Sequence, residues 1–471
     1  MKKSLVALAV LAATGAYAQS SVTLYGIVEA TTDIGYNRTQ DGTVTTNTFN
    51  AAGNGLTSTT TSSSSSQKNN FRVQDGSSQG SGSSRVGFRG TEDLGGGLKA
   101  NFLLEMGLRV DDGCTTLGGV VGPFGTAAAA ANTVNCNNGG NSENSGGSTF
   151  GRNAWGGLSG AFGEVRLGRQ VLGSFGVQGN SGASGASNGL YDASTATLST
   201  MGGVRFSNAI RYLSPNLGGF TGSLMLAAPE TAGNTTATST TAAGVVTTAN
   251  ASRRTGVDLA LEYANGPAYI GFGYNKNDSA NSTASTTPAG PGSTAVSALP
   301  TTTTGYTLGG SYDLGVVKPF INYTRQRGNV SSSSAFTSVI PGGDTFTSIN
   351  GDSTQRALSI GLRAPVGAFT VIAGYGRSTT TGNTLAPTTT GAGVTTTIAG
   401  RTESRVNAFQ LGAQYALSKR TLVEANYGYN KLRGDGNTGA TSTLAGSGRT
   451  ETFTRSNDRI SALNVGLKHS F

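Results

Sequence analysis

The chain is poor in charged residues and has no long apolar run. Only 12% of its 471 residues are Asp, Glu, Lys or Arg, against roughly 25% in a soluble globular domain. After residue 19 no stretch approaches the ~18 consecutive apolar residues that a membrane-spanning helix requires. The first deficit argues against an ordinary soluble domain, and the second excludes a helical membrane protein.

Histidine is almost absent, because His469 is the single one in the chain. Residues 185–189 (GASNG) match the G-x-S-x-G nucleophile elbow, but that elbow needs a strand–turn–helix context and a histidine base. A chance match in a Gly/Ser-rich loop is therefore the better interpretation. No paired general acid and base, metal-ligand cluster or phosphate-binding loop is found either. We predict that the protein is not an enzyme and needs no metal or cofactor.

Cysteine is equally scarce, with Cys114 and Cys136 in one Gly/Asn/Ala-rich stretch. In an oxidising compartment these two would most simply pair and close one surface loop. Closing such a loop stabilises a fold by roughly 3 kcal/mol on chain-entropy grounds. Two thiols without a nearby histidine cannot make a four-ligand zinc site. A loop disulfide is the expectation.

The N-terminus has the three parts of a secretory signal peptide. A basic start with Lys2 and Lys3 precedes an apolar core at 5–13 and an A-x-A cleavage site at 16–18. We therefore divide the chain into a signal peptide, residues 1–18, and one mature domain, residues 19–471.

The last segment, 459–471, alternates apolar and polar residues up to a terminal aromatic. Its apolar parity holds Leu463, Val465, Leu467, His469 and Phe471, and its polar parity holds Asn464, Gly466, Lys468 and Ser470. Segments 99–109, 257–263, 409–415 and 423–429 alternate in the same way. Side chains on a strand alternate between faces. An apolar outside around a polar inside is typical of a transmembrane β-barrel.

The strand-like segments come in pairs joined by short turns. In chain order they are 22–36, 85–92 with 98–110, 150–158 with 163–170, 204–213 with 218–227, 256–263 with 268–276, 306–313 with 317–327, 356–362 with 368–377, 405–416 with 421–432, and 459–471. This predicts an all-β fold, a sixteen-stranded antiparallel transmembrane β-barrel. An even count places both termini on one side, with seven short periplasmic turns and eight long extracellular loops.

The long loops are rich in Thr, Ser, Gly and Asn. Taken alone, segments 57–66 and 235–250 would be called disordered on composition. A soluble β-sandwich or β-solenoid would also alternate. A sandwich has no need for alternating short and long connections, however, and no fixed solenoid period is present. The barrel is the better prediction.

Charge and aromatic placement extend this interpretation. Without Lys2 and Lys3 the chain has 31 basic and 24 acidic residues, a net charge of +7. An excess of basic residues can indicate nucleic-acid binding, but an exported chain without Lys/Arg clusters favours an anion-attracting lumen.

Aromatic residues near strand ends are expected in the interfacial girdles. They are Tyr25, Trp155, Tyr263, Tyr274, Tyr323, Tyr375 and Phe471.

Several segments in fixed order carry a family resemblance. They are SVTLYG (21–26), SRVGFRGTEDLGGGLKA (84–100), FGRNAW (150–155) with Gly157-Leu158, LGRQ (167–170), RFSN (205–208) with Arg211-Tyr212 and Ser214-Pro215, and LSKRT (417–421). Together they resemble the general porins of Gram-negative outer membranes, in the branch typical of β-proteobacteria. The resemblance runs from the signal peptide to Phe471, and the loops diverge.

The resemblance implies a homotrimer of sixteen-stranded barrels, each a water-filled diffusion pore in outer-membrane lipid. The third outer loop, about 172–203, would fold inward opposite a basic wall formed by Arg85, Arg152 and Arg205. It also implies that the barrel assembly machinery recognises Phe471. Strand parity independently predicts that Arg85 faces inward, whereas the inward direction of Arg152 is inferred from the resemblance alone.

The inward loop departs from cation-preferring porins, which carry several carboxylates there. Between Glu164 and Glu230 the chain has one acid, Asp192. Arginine-lined walls favour anions, so we predict anion preference, tempered by Glu29 and Glu105 if they face the lumen.

The predicted function is passive diffusion of ions and small hydrophilic solutes across the outer membrane. A substrate-specific channel remains an alternative, although lumen aromatics and lysines look too sparse for a sugar slide or a polyphosphate throat. A surface adhesin is the other alternative. It would not need wall arginines and a folded-in loop.

Overall fold

The computed structural model describes most of the chain. The described residues are 21–49, 56–75, 84–108, 110, 115–116, 149–182, 203–229, 235–241, 244–286, 295–296, 299–332, 345–347, 349–385, 388–391, 394–396, 399–443 and 447–471. The expected signal peptide (1–18), the cysteines Cys114 and Cys136, and Asp192 lie outside them.

In this part of the chain, sixteen strands close into one antiparallel barrel. The strands are β1 (Ser21–Phe49), β2 (Arg85–Gly95), β3 (Leu98–Leu108), β4 (Asn153–Gly160), β5 (Gly163–Val171), β6 (Arg205–Leu213), β7 (Phe220–Ala227), β8 (Gly244–Asn265), β9 (Ala268–Thr286), β10 (Leu299–Tyr312), β11 (Lys318–Ser332), β12 (Ile349–Val366), β13 (Phe369–Leu385), β14 (Ala399–Ala416), β15 (Thr421–Thr443) and β16 (Ser447–Ser470). Each strand pairs with its chain neighbours, and β16 returns to pair with β1. The predicted barrel, strand count and alternation of short and long connections are confirmed.

Several strands run further than predicted at the long-loop end. The Thr/Ser-rich segment Leu56–Asp75 pairs along the outer half of β1, and Thr235–Thr241 pairs with the start of β8. Composition had suggested disorder for both. The cause is that β-branched threonine suits a pleated strand, and the barrel rim supplies an edge to pair with. Short strands also occur at Thr115–Thr116, Ala295–Val296, Thr345–Thr347, Thr388–Gly391 and Val394–Thr396.

Burial separates the two faces of the wall as the alternation predicts. On β8, Leu261 is 51% exposed on the outside, whereas Asp258 is fully buried inside. On β16, Leu467 is 47% exposed and Asn464 is 1% exposed. The outer face is therefore an apolar surface suited to lipid, and the polar side chains line the interior.

A β-bulge reverses the faces partway along β1. The register to β16 shifts between Ile34 and Asn37, where Gly35 has φ +64°. Before the bulge Asp33 is buried inside, and after it Arg38 reaches the interior Asp458. A bulge adds one residue to one strand, so simple parity along β1 fails beyond residue 34.

The aromatic girdle is only partly where the sequence suggested. At the short-turn end, Phe220 stacks on Tyr263 with ring centroids 4.5 Å apart. The predictions for Tyr25 and Trp155 are wrong, because both face the interior. The Tyr25 hydroxyl donates to Glu105 at 2.8 Å, and the Arg166 guanidinium lies 4.2 Å from the Trp155 ring centroid. Both aromatics follow the lumen parity of their strands, which position near a strand end does not reveal.

The helix in the described region, α1 (Gly173–Asn180), lies inside the barrel. It packs on interior positions of the wall, including the buried Ala260 and Thr307. No helix among the described residues is long and apolar enough to cross a bilayer.

The barrel closes at Gly26 and Phe471. The Gly26 amide donates to the Phe471 carbonyl at 3.0 Å, and the Phe471 amide donates back at 3.1 Å. The Phe471 ring fills the space over Gly26, where a Cβ would lie 2.7 Å from the Arg85 carbonyl oxygen. The seam therefore has room for glycine alone.

We expect Gly26→Val to destabilise the barrel by about 1–3 kcal/mol, since it overpacks this seam. The measurement is the temperature at which the folded band unfolds on a detergent gel. Gly156→Val is the matched control, because a Cβ there has no neighbour closer than 3.9 Å. Equal unfolding temperatures for the two variants would contradict the account of the seam.

Candidate functional site

Helix α1 follows β5 directly and lies against the inner wall of β7 to β10. Glycines on the wall leave the groove that it occupies. A Cβ on Gly271 would lie 2.9 Å from Val177, and a Cβ on Gly273 would lie 2.7 Å from Ser174. A Cβ on Gly309 would likewise overlap the Ser181 side chain. The described beginning of the third outer loop therefore folds inward, as predicted.

The buried carboxylate of Asp258 on β8 holds the start of this helix. Its Oδ1 accepts from the Gly173 amide at 2.7 Å and from the Ser174 amide at 3.3 Å. The Ser174 hydroxyl donates to Oδ2. The first amides of a helix have no partner within the helix, and their dipole favours an anion. The Asp258 carboxylate supplies both a hydrogen-bond acceptor and a negative charge. It therefore stabilises the start of the helix and does not face the open lumen.

The two ends of α1 have further anchors. At its root, Leu172, Phe206, Ala209 and Met225 form a buried apolar cluster inside the barrel. At its far end, the Asn322 amide of β11 donates to the Ser181 hydroxyl at 2.6 Å. The helix is therefore fixed along its whole length to one side of the interior.

A charged cluster occupies the adjacent wall, centred on Glu105 of β3. Arg152 contacts one carboxylate oxygen of Glu105 at 2.8 Å, and Arg85 lies 3.5 Å from the other. Tyr25 and Asn153 donate to the same carboxylate at 2.8 and 3.1 Å. This carboxylate is fully engaged and orients the two guanidiniums around it.

Two more arginines join the cluster. Arg205, at the start of β6, lies within electrostatic range of Arg85, Arg152 and Arg169. Arg169 donates to the Gly151 carbonyl at 2.7 Å and to the Ser207 hydroxyl at 2.6 Å. Three guanidiniums, those of Arg85, Arg152 and Arg205, thus lie around the Glu105 carboxylate, and Arg169 lies beside Arg205. The local charge is strongly positive.

The structure brings the three sequence-predicted arginines together, and Asp192 lies outside the described residues. Sequence reasoning missed Arg169, although it lies in the quoted LGRQ segment. The pairing of β5 with β6 is irregular here: Gly168 pairs with Ala209 and Gln170 pairs with Phe206, so the extra residue of the bulge lies on β6, where Asn208 has φ +48°. The anchor Asp258 was also missed, although its interior parity was visible.

Other interior carboxylates among the described residues have close polar partners. Glu29 lies 3.8 Å from the Lys468 ammonium, and Asp33 accepts from Asn464 at 3.0 Å. Glu424 accepts from Gln414 at 3.1 Å. Glu29 faces the lumen, as the sequence analysis allowed, but its charge is offset by Lys468. Within the same residues no cluster of His, Cys, Asp and Glu could hold a metal ion.

A closed barrel with a lipid-facing apolar wall, a loop folded inside it and a charged interior defines a transmembrane pore of the porin class. The chain belongs to the Gram-negative porin family, whose model matches residues 4–435. It is therefore an outer-membrane channel of a Gram-negative bacterium.

Individual relatives agree with this assignment. An outer membrane porin protein of Bordetella pertussis is 29% identical over 441 residues, which are 92% of this chain and 94% of the relative. Outer membrane porin protein 32 of Delftia acidovorans is 34% identical over 325 residues, 68% of each chain. Among solved structures, the anion-selective porin from Comamonas acidovorans is similar with a TM-score of 0.47 at 24% identity, covering 96% of this chain and 100% of that one.

We expect Asp258→Ala to loosen α1, because hydrogen bonds to a charged group contribute about 1.5–3 kcal/mol each when made. The measurement is open-channel current noise in a planar bilayer, which should rise as the helix fluctuates in the pore. Asp352→Ala removes an exposed carboxylate on the outer face and should leave the noise unchanged. Quiet Asp258→Ala channels would show that the helix does not depend on this carboxylate.

Proposed function

We propose that the protein is a passive, anion-preferring diffusion channel for ions and small hydrophilic solutes, working as a homotrimer. Its constriction lies between α1 on one wall and Arg85, Arg152 and Arg205 on the adjacent wall. The observation that carries the proposal is the gathering of guanidiniums around the single carboxylate of Glu105.

The physical basis is a positive potential inside a low-dielectric wall. Field lines concentrate in a narrow lumen, so an excess of fixed cations raises the local concentration of anions. Arginine stays protonated at any physiological pH, so the preference should persist across that range. Glu105 lowers the excess by one charge and holds Arg85 and Arg152 in place.

One observation bears on the alternative of a substrate-specific channel. A recess of about 530 Å³ at the short-turn end of the lumen is lined by Tyr25, Trp155, Arg89 and Arg166, among others. Aromatic faces there could bind a sugar ring, but Arg89 and Arg166 already stack on Tyr25 and Trp155. Glu164 also lines the recess and pairs with Arg166 at 2.6 Å. The recess therefore adds one net positive charge at the lumen mouth, that of Arg89, and supports the general anion channel. Block of the current by one solute at micromolar concentration would favour the specific channel instead.

We expect Arg85→Gln combined with Arg152→Gln and Arg205→Gln to lower the anion-to-cation permeability ratio by at least about tenfold, because the three charges attract anions and repel cations. Three unit charges some ~8 Å from a passing ion each contribute about 0.5 kcal/mol in a water-like dielectric, and 1.4 kcal/mol is a factor of ten. The measurement is the reversal potential under a salt gradient at low ionic strength.

Two controls accompany this triple variant. Glu105→Gln removes the opposing charge and should raise the ratio, whereas Arg327→Gln, on the outer wall beside Asp352, should not change it. A cation-preferring reversal potential of the unmodified channel would overturn the proposal. In the same recordings, a trimer should close in three equal current steps.

The terminal Phe471 is proposed as the signal for the barrel assembly machinery. We expect Phe471→Ala to reduce the amount of folded protein in the outer membrane severalfold in cells, while Phe471→Tyr keeps the aromatic ring and most of the assembly. Refolding of the purified variants into detergent separates the two roles of the residue. An equal loss in detergent would assign Phe471 a purely structural role at the Gly26 seam.

A further inference from the structure

Two of the constriction arginines stand at the ends of strands. Arg152 directly precedes the first residue of β4, and Arg205 is the first residue of β6. Between these strands, β5 runs in the opposite direction and ends at Val171, so all three ends meet at the long-loop side of the wall. A strand end opens more readily than a strand middle. The segments that carry the two guanidiniums therefore need support beyond the strand ladder.

The backbone of both segments departs from regular strand pairing. The start of β6 contains the bulge next to Asn208, and a bulge leaves a residue without a ladder partner. Arg152 lies just outside β4, where its amide donates to the Glu105 carbonyl at 3.1 Å. The strand ladder alone therefore gives neither segment the support that a strand middle has.

Arg169, near the end of β5, bridges these two segments. Its Nε donates to the Gly151 carbonyl at 2.7 Å, and its Nη1 donates to the Ser207 hydroxyl at 2.6 Å. Gly151 is the residue before Arg152, and Ser207 is two residues after Arg205. One guanidinium therefore links the backbone in front of one constriction arginine to the bulge that follows the other.

The glycine before Arg169 lets β5 approach β4 closely at this point. Gly168 has φ +128°, and a Cβ there would overlap the Ala154 carbonyl oxygen. Glycine adopts such a backbone conformation without steric cost, and it leaves room for the neighbouring strand. The close approach lies next to Arg169, whose side chain crosses to the segment in front of β4.

The charge of Arg169 does not explain its position. Arg205 lies within electrostatic range of Arg85, Arg152 and Arg169, and a further cation beside like charges is repelled by them. The two hydrogen bonds, in contrast, match the planar fork of a guanidinium, whereas the ammonium of lysine is a point charge without that fork. Hydrogen-bond geometry therefore accounts for an arginine at this position.

We propose that Arg169 is a positioning residue for the constriction. It keeps Arg152 and Arg205 close to Glu105 against the mutual repulsion of the guanidiniums, and anion preference depends on it through those two side chains. This inference rests on the proposed anion-preferring function. It differs from a direct role in selectivity, in which the charge of Arg169 by itself would attract anions.

The test uses a substitution that keeps the charge and removes the fork. We expect Arg169→Lys to lower the anion-to-cation permeability ratio about threefold, which corresponds to two charges that move from about 8 to about 12 Å from a passing ion in a water-like dielectric. The measurement is the reversal potential of the full-length channel under a salt gradient at low ionic strength. Arg327→Lys is the matched control, because Arg327 pairs with Asp352 at 3.2 Å on the outer wall, and it should leave the ratio unchanged.

Two further variants show whether the effect passes through the constriction arginines. Ser207→Ala removes one of the two hydrogen bonds without changing any charge, and it should lower the ratio by a smaller factor. Adding Arg169→Lys to a channel that already carries Arg152→Gln and Arg205→Gln should cause no further loss. An Arg169→Lys channel with the ratio of the unmodified channel would overturn the inference. A further threefold loss in the channel without Arg152 and Arg205 would overturn it as well.

Folding and the proposed function are followed separately. Heat-resistant mobility on a gel reports the fold. If Arg169→Lys does not fold, Ser207→Ala decides the question, and an unchanged ratio in that variant would overturn the inference. The sign of the reversal potential of the unmodified channel tests the proposed function, whereas the change of the ratio between variants tests the role of Arg169.

Discussion

The whole structure depends on satisfying every backbone amide and carbonyl inside lipid, where no water can replace a missing partner. A closed ladder is the solution open to β-strands, and it leaves no free edge. The pairing of β16 with β1, completed by the reciprocal bonds of Gly26 and Phe471, is therefore the condition for all other features. Once the ladder is closed, alternate side chains must face lipid or lumen.

This division explains why the interior can hold so much polarity. Asp258, Glu105 and Glu29 would be costly on the lipid face, but inside the barrel each finds helix amides, guanidiniums or an ammonium. The same polar interior accommodates α1, whose groove exists because Gly271, Gly273 and Gly309 have no side chains. Helix α1 therefore occupies part of the lumen in a groove formed by these glycines.

Much of this could be predicted from the sequence, because alternation and turn spacing are local. The strands, their order and the outward aim of Leu261 or Leu467 follow from a period of two. The grouping of Arg85, Arg152 and Arg205 came from a family resemblance, and the structure brings these side chains together.

The features that the sequence analysis missed or assigned wrongly depend on long-range geometry. The bulge at Gly35 shifts parity along β1 by one residue, which hid the inward aim of Arg38. Tyr25 and Trp155 were assigned to the girdle because strand-end position was weighed above parity. The role of Asp258 could not be anticipated, because its partners at Gly173 and Ser174 are more than eighty residues away in sequence.

The layered outer wall also determines how deep the barrel sits. At the short-turn end, the ring pair Phe220–Tyr263 prefers the water–hydrocarbon boundary. At the long-loop end, the tyrosines are Tyr323, Tyr375 and Tyr429, and each is followed two residues further out by a cation: Arg325, Arg377 and Lys431. If the barrel moved deeper into the membrane, guanidiniums would enter the hydrocarbon. If it moved outward, apolar leucines would be exposed to water. The two ends of the outer wall therefore fix the depth of the barrel in the membrane. It holds α1 and the arginine cluster inside the lumen at a fixed height relative to both membrane surfaces.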